Sequence, residues 1–461
     1  MSQRARYGVL AAALVGLATL WLQGACGATL DPAAGSAGAS ATTTPSPTTS
    51  TTSWTTGSGA SDAGVCDPEP IPDYVPAGWD EVTDWSCDCR FYVPGSKDVL
   101  PVPIAWEPCP EAPDGIDCRV MVTSWTDASA PILTGGKMAV TGTGAAMLAF
   151  SRAGDGRGYY LVAEADGPVH TAFMPPYGDG CWFAEHSLSE GMHLIGIQGH
   201  KALGPLSRHE GAIGGPIDEL KPRVLLHEDE IDNPYGDGWA CSNKWVARIK
   251  WPFVMTVYSW DMSTEIFVTS QATDPEGLDM SQPVMVGDAF FWTTASMSRS
   301  GLNVWDPVGG TRPFIRWVGD GTRGAGNLGT DGVDLVWSYG EGKQPGETVF
   351  PVRSIMTAPF TTDPTEVQAT ALRLRSQPDP PIQVGPWQVG CGYAARDSAN
   401  KVLVVRLSDG WSWFVPSTPS QKLQRPLGLT CEELFAMGEI GGKYTMGRVR
   451  LDSLGPGLLP D

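Results

Sequence analysis

Charge is scarce in this chain, and positive charge scarcest. Charged side chains are 18% of its 461 residues, with 31 Lys and Arg against 51 Asp and Glu, a net charge of −20. That balance repels phosphate backbones and anionic headgroups, which argues against nucleic acid as a partner and against electrostatic adhesion to a membrane. Dense Ala, Glu, Lys and Leu at 3.5 or 3.6 spacing is missing, which excludes coiled coils and long helical bundles. G-x-S-x-G, H-E-x-x-H and a phosphate-cradling P-loop are missing too, so an α/β-hydrolase nucleophile and a zincin site have no support. What the chain has instead is 56 Gly, 39 Pro, 18 Trp and 10 Cys, the makings of a loop-rich, all-β body.

The N-terminus reads as an address. Arg4 and Arg6 precede an uncharged stretch over 7–30, in the order of a secretory signal over 1–25. Gly8, Gly16, Gln23, Gly24 and Gly27 dilute it below what an uncleaved span of about 20 apolar residues needs. Leu22-Gln23-Gly24-Ala25-Cys26-Gly27 resembles the lipobox of bacterial lipoproteins, with Gln23 standing where the pattern prefers Leu. The resemblance implies lipid attachment at Cys26, and a plain signal-peptidase cut near Ala25 or Ala28 is the alternative. Acyl chains buried at about 0.8 kcal/mol per methylene would make that anchor the chain's contact with a membrane. Residues 26–65, almost wholly Ala, Gly, Ser, Thr and Pro, cannot bury enough apolar surface to offset their conformational entropy and read as a disordered tether.

The cysteines fit export. Cys66, Cys87, Cys89, Cys109 and Cys118 crowd a Pro-rich segment over 66–130, and Cys181, Cys241, Cys391 and Cys431 are spread along the body. C-x-C followed by single distant cysteines is not the paired-knuckle spacing of a zinc site, so disulfides are expected. With Cys26 lipidated, nine remain, which leaves one thiol over.

From about 131 to 461 the chain repeats short β-rich runs separated by turns. Runs at 145–150, 159–164 and 169–173 form a meander tied by Asp155-Gly156 and Asp166-Gly167, since glycine accepts positive φ at no steric cost. A second meander takes 388–395, 401–407 and 411–415 as strands. Unit starts near 145, 192, 245, 288, 332, 388 and 431 are 43 to 56 residues apart, close to the roughly 40 to 50 residues of a four-stranded propeller blade. The expectation is a β-propeller of seven mostly antiparallel, four-stranded blades. Too little chain follows the last start to complete a blade, so a strand from 100–125 is expected to close the ring. Pro176-Tyr177-Gly178-Asp179-Gly180 and Pro234-Tyr235-Gly236-Asp237-Gly238, each near a cysteine, read as equivalent loops of neighbouring units. Cys181–Cys241 and Cys391–Cys431 would then staple adjacent blades.

With its lipobox, tether and repeat grammar, the chain resembles secreted bacterial β-propeller lipoproteins of the myxobacterial type, without a WD or kelch signature. The resemblance implies a location at the cell envelope, the outer membrane or the cell surface.

No residue stands out as catalytic, metal-binding or cofactor-binding. All six histidines, 170, 186, 193, 200, 209 and 227, fall within 58 residues, yet their spacing puts them on different strands and loops. The pair Asp331 and Asp334 suits a glycosidase only if two carboxylates flank one bond, and the run 228–230 reads as a solvated loop. Gly324-Ala325-Gly326-Asn327-Leu328-Gly329 fits G-x-G-x-x-G without the βαβ context that gives that motif meaning. Trp292, Trp305, Trp317, Trp337, Trp387, Trp411 and Trp413 read as packing between blades, with glycan stacking as the sharper alternative. The function these readings support is a lipid-tethered binding or scaffold protein with a protein or glycan ligand at a propeller face. A secreted glycoside hydrolase or lyase with a carboxylate pair at the channel mouth is the alternative.

Overall fold

The computed structural model describes residues 75–459, apart from 76, 83–90, 101–103, 123–131, 142–143, 153–157, 174–180, 201–207, 232–237, 251–253, 271–282, 296–298, 319–322, 342–351, 373–385 and 399–400. Cys26, Cys66, Cys87, Cys89 and the tether lie outside the described residues.

Hydrophobic runs here are continuous rather than alternating, because each sheet is covered on both faces. In Ala289–Ala295, Phe290 joins a core with Met255 and Val257 of the sheet before it. Its neighbour Phe291 joins a second core with Leu335 and Trp337 of the sheet after it. Successive strand residues point to opposite faces, so one run feeds two cores. The same device recurs from sheet to sheet, and the apolar interior lies between the sheets.

Six sheets are four-stranded antiparallel meanders, over residues 132–173, 181–231, 238–270, 284–318, 323–372 and 388–414, here the first to sixth. A further composite sheet has five strands. Gln421–Leu429, Glu433–Ile440 and Lys443–Arg450 are extended by Cys118–Val122 and then Ala105–Pro108 from the N-terminal side. The first strand of each sheet abuts that of the next, and Gln421–Leu429 abuts Ile132–Thr141, so the sheets close on themselves as a β-propeller. Four-stranded blades number six where seven were expected, the composite sheet filling the remaining place in the ring, and the N-terminal side adds two strands to that closing sheet where one was expected. The run 388–395 is also not one strand. Cys391 and Gly392 both have positive φ, 50° and 74°, as a two-residue hairpin turn requires, and they split Gln388–Gly390 from Tyr393–Ser398.

Near the axis, backbone meets backbone. A Cβ on Gly390 would lie 2.4 Å from the Leu429 carbonyl oxygen, and one on Gly329 would lie 2.1 Å from that of Trp387. Only glycine lets neighbouring sheets converge this closely.

Polar clamps join successive first hairpins. The Cys241 N–H donates to Ser187 Oγ (3.2 Å), the Ser242 hydroxyl to the Gly287 carbonyl (2.7 Å), and the Cys391 N–H to Asp331 Oδ2 (3.2 Å). Disulfides join Cys391 to Cys431, across the sixth and composite sheets, and Cys109 to Cys118, within the closing strands.

The bridge expected between Cys181 and Cys241 is not formed, and Cys241 is a free, buried thiol that burial pushes up to about 12. Apart from Gly238, both P-Y-G-D-G copies lie outside the described residues. Their cysteines do not match. Cys181 opens Cys181–Ser189, whereas Cys241 ends Gly238–Cys241 and bonds to Ser187, six residues or roughly 20 Å of extended strand away from Cys181.

Candidate functional site

A cavity of about 450 Å³ opens between the fifth and sixth sheets, lined by Asp334, Thr357, Gln368, Thr370, Tyr393 and Arg406 among others. The end of Val352–Pro359 and the start of Asp334–Glu341 form one wall, and the Cys391-Gly392 hairpin forms the other.

The two carboxylates singled out from sequence fall here but do different work. Asp331 caps its own turn: Oδ1 accepts from the Val333 and Asp334 N–H groups (both 2.9 Å) while Oδ2 accepts from Cys391 of the next sheet. Asp334 lines the cavity, and burial, reinforced by the charge of Asp331, raises it above the usual carboxylate range. Arg406 is bonded to Asp409 through Nε (3.0 Å) and Nη2 (2.6 Å), which holds Asp409 below its ordinary value. Its guanidinium lies 5.9 Å and 5.7 Å from the ring centres of Trp411 and Trp413. The cavity thus offers one acid displaced toward neutrality, one cation already paired, and hydroxyl and amide groups suited to polar recognition.

The tryptophans divide. Trp292, Trp305, Trp337 and Trp387 are buried between sheets. Trp411 and Trp413 sit under the C-terminal segment: Trp413 Nε1 donates to the Gly455 carbonyl (3.1 Å), and Leu458 exchanges two backbone hydrogen bonds with Ser412. A Cβ on Gly457 would come within 2.7 Å of Trp413, so these rings face chain and not an open platform. The side chain of Trp317 lies outside the described residues.

Among the histidines, His193 is fully buried, which lowers it to about 4. His170 is half-buried, and the other four side chains lie outside the described residues. Among the described residues no three His, Cys, Asp or Glu side chains gather into a metal-sized group. Residues 228–230, expected in a loop, belong to the strand Arg223–Ile231. Gly324 to Gly329 lie in the first strand of the fifth sheet, Arg323–Thr330, which runs into a turn and another strand and opens no helix.

Two pairs escaped the sequence reading. Arg248 lies 5.5 Å over Trp239, and Arg396 lies 5.6 Å over Trp387. The signal was there: each first hairpin carries W-x₈-R, and Trp239 and Arg248 are direct cross-strand partners. Cation–π stacking explains how a cation is tolerated between sheets.

No protein-family model and no curated protein matches the chain. Among solved structures it is similar to oligogalacturonate lyase from Vibrio parahaemolyticus, at 8% identity over 76% of this chain and 97% of that one, TM-score 0.48. It is also similar to an oligogalacturonate lyase in complex with manganese, at 10% identity with the same coverage, TM-score 0.49. The β-propeller domain of Myceliophteria thermophila Cps50 (Swd1) aligns at 12% identity over 69% of this chain and 98% of that one, TM-score 0.40. At such identities the likeness is one of fold.

Proposed function

We propose that this chain is an extracytoplasmic binding or scaffold propeller, tethered by lipid at Cys26 and engaging a protein or glycan through the cavity between the fifth and sixth sheets. The observation that carries the binding reading is the use of Asp331. Both of its oxygens are engaged by backbone N–H groups, so the acid pair that would suit glycoside cleavage is reduced to a single available carboxyl. Two disulfides favour an oxidising compartment, and the Ser/Thr/Pro-rich tether favours display at a distance from a membrane.

Glycan and peptide arrays probed with the wild type and with an Asp334→Ala, Tyr393→Ala double variant test this reading. It requires a ligand that the wild type retains and the variant loses. Cys26→Ser tests the anchor, and should move the protein from the membrane fraction to the soluble one.

The place of Asp334 on the cavity wall favours a second reading, in which its carboxyl acts as an acid–base group on a bound sugar. Turnover of an acidic or neutral oligosaccharide, abolished by Asp334→Asn, would establish it in place of the first.

A further inference from the structure

Four residues beyond Asp334 along the same strand, about 13 Å away, the space between the fifth and sixth sheets holds a second constellation. Arg396 is 1% exposed. Its Nη1 donates to Ser338 Oγ (2.8 Å), which also accepts from Trp387 Nε1 (3.0 Å), and its guanidinium packs over the Trp387 ring. Nε and Nη2 of Arg396 have no hydrogen-bond partner, and neither has the buried hydroxyl of Ser398. Arg396 and Ser398 are two apart in Tyr393–Ser398 and so share a face.

Burial lowers Arg396 to about 9 against the opposing charge of neighbouring Asp397, which leaves it charged at neutral pH and short of hydrogen-bond acceptors. A buried guanidinium with two idle donors is costly unless something pairs with it.

Space for a partner lies alongside. Gly326 is the direct cross-strand neighbour of Ser338, so the two positions share a face. A Cβ built on Gly326 would meet nothing within 4 Å, and Gly326 is itself partly exposed, which gives the gap an opening. The glycine-rich strand thus acquires a role its motif did not suggest: it leaves room beside Ser338, the hydroxyl to which Arg396 donates.

We propose that this gap is a binding site for a small carboxylate. The Nε and Nη2 edge of a guanidinium takes a planar carboxylate in two parallel N–H···O bonds, and the Ser398 hydroxyl adds a third donor. A spherical halide must take both donors on one atom and cannot form two parallel bonds, and a water satisfies the donors without neutralising the charge. The site is distinct from the cavity at Asp334 and stands whether or not that cavity binds a glycan or protein.

The test is thermal unfolding of the full-length protein in increasing sodium formate or acetate, with ionic strength held constant by exchange against chloride. The expected result is a saturable rise in Tm of about 2 °C or more. Arg396→Met removes the fork, and Gly326→Val fills the gap while leaving the arginine in place; each should abolish the rise. If Arg396→Met does not fold, Gly326→Val decides alone. A flat response in the wild type, an equal rise with sulfate, a rise that survives Gly326→Val, or a crystal structure from formate showing only water at Arg396 would each overturn the proposal.

Discussion

The guanidinium of Arg448 lies 4.8 Å over the ring of Trp106, and these two residues are more than 300 positions apart in the chain. Trp106 Nε1 donates to the Ala165 carbonyl (2.8 Å) and Arg448 Nη1 to Asp166 (2.7 Å), so an N-terminal strand, the composite sheet and the first sheet meet at one point. Because Arg448 is buried, losing it also strands Glu433, which burial already raises above its ordinary value. Arg448→Met should lower unfolding free energy by about 3 kcal/mol in a urea melt. A change within about 0.5 kcal/mol would show that this contact does not hold the ring.

The Cys391–Cys431 bridge spans 40 residues. In the chain-entropy picture a loop of that length stabilises by about 4 kcal/mol. Cys391→Ala with Cys431→Ala should lower stability by roughly that amount, and by more than the matching pair of changes at Cys109 and Cys118, whose separation is 9. Calorimetry of the two double variants gives the order directly.

His193 carries a pH dependence with a definite sign. Its folded value of about 4 lies below the ordinary 6.5, because burial penalises the charged ring. Between those values the unfolded chain binds a proton that the folded one does not, so stability is fully present above pH 6.5 and falls as the pH drops toward 4. The span amounts to about 3 kcal/mol. Urea midpoints measured from pH 7 to pH 4.5 should decline in the wild type and much less in His193→Gln, whose side chain does not titrate.

Gly390→Ala and Gly392→Ala separate two uses of glycine. At Gly390 a methyl group would strike the Leu429 backbone, whereas at Gly392 it meets open space and only the positive φ resists it. The first should cost about 2 to 3 kcal/mol, the second about 1. The difference is readable from paired denaturation curves.

Much of the architecture was legible in the sequence, though displaced. Of the seven unit starts read from the pattern, those near 145, 192, 245, 288, 332 and 431 fall at or just before the second strand of a sheet, at Gly144, Met192, Trp245, Ala289, Asp334 and Glu433. Where their side chains are described, second strands are buried on both faces and carry long apolar runs, as in Phe290 to Trp292, so they dominate any hydrophobic pattern. First strands lie where the sheets converge and must be slim. Arg323–Thr330, with three glycines, gives almost no such signal. The cavity was half legible. Asp331 and Asp334 announced themselves as a pair, but the division of labour between them depends on the Cys391 N–H, which arrives from another sheet. The W-x₈-R hairpins were readable from spacing alone, and their meaning required seeing each cation seated on its own indole.

Sealing the last sheet with Cys118–Val122 and Ala105–Pro108 has a consequence for biogenesis. A chain made from its N-terminus cannot complete the circle until Lys443–Arg450 has emerged, because only then does Cys118–Val122 find its neighbour. If the polypeptide crosses a membrane as an unfolded thread, its early strands must wait, uncoupled, until the final residues are through. Truncation near the C-terminus would therefore leave a gapped ring exposed to proteases, and a single backbone cut between Cys109 and Cys118 should be tolerated, since the disulfide would keep both fragments in place.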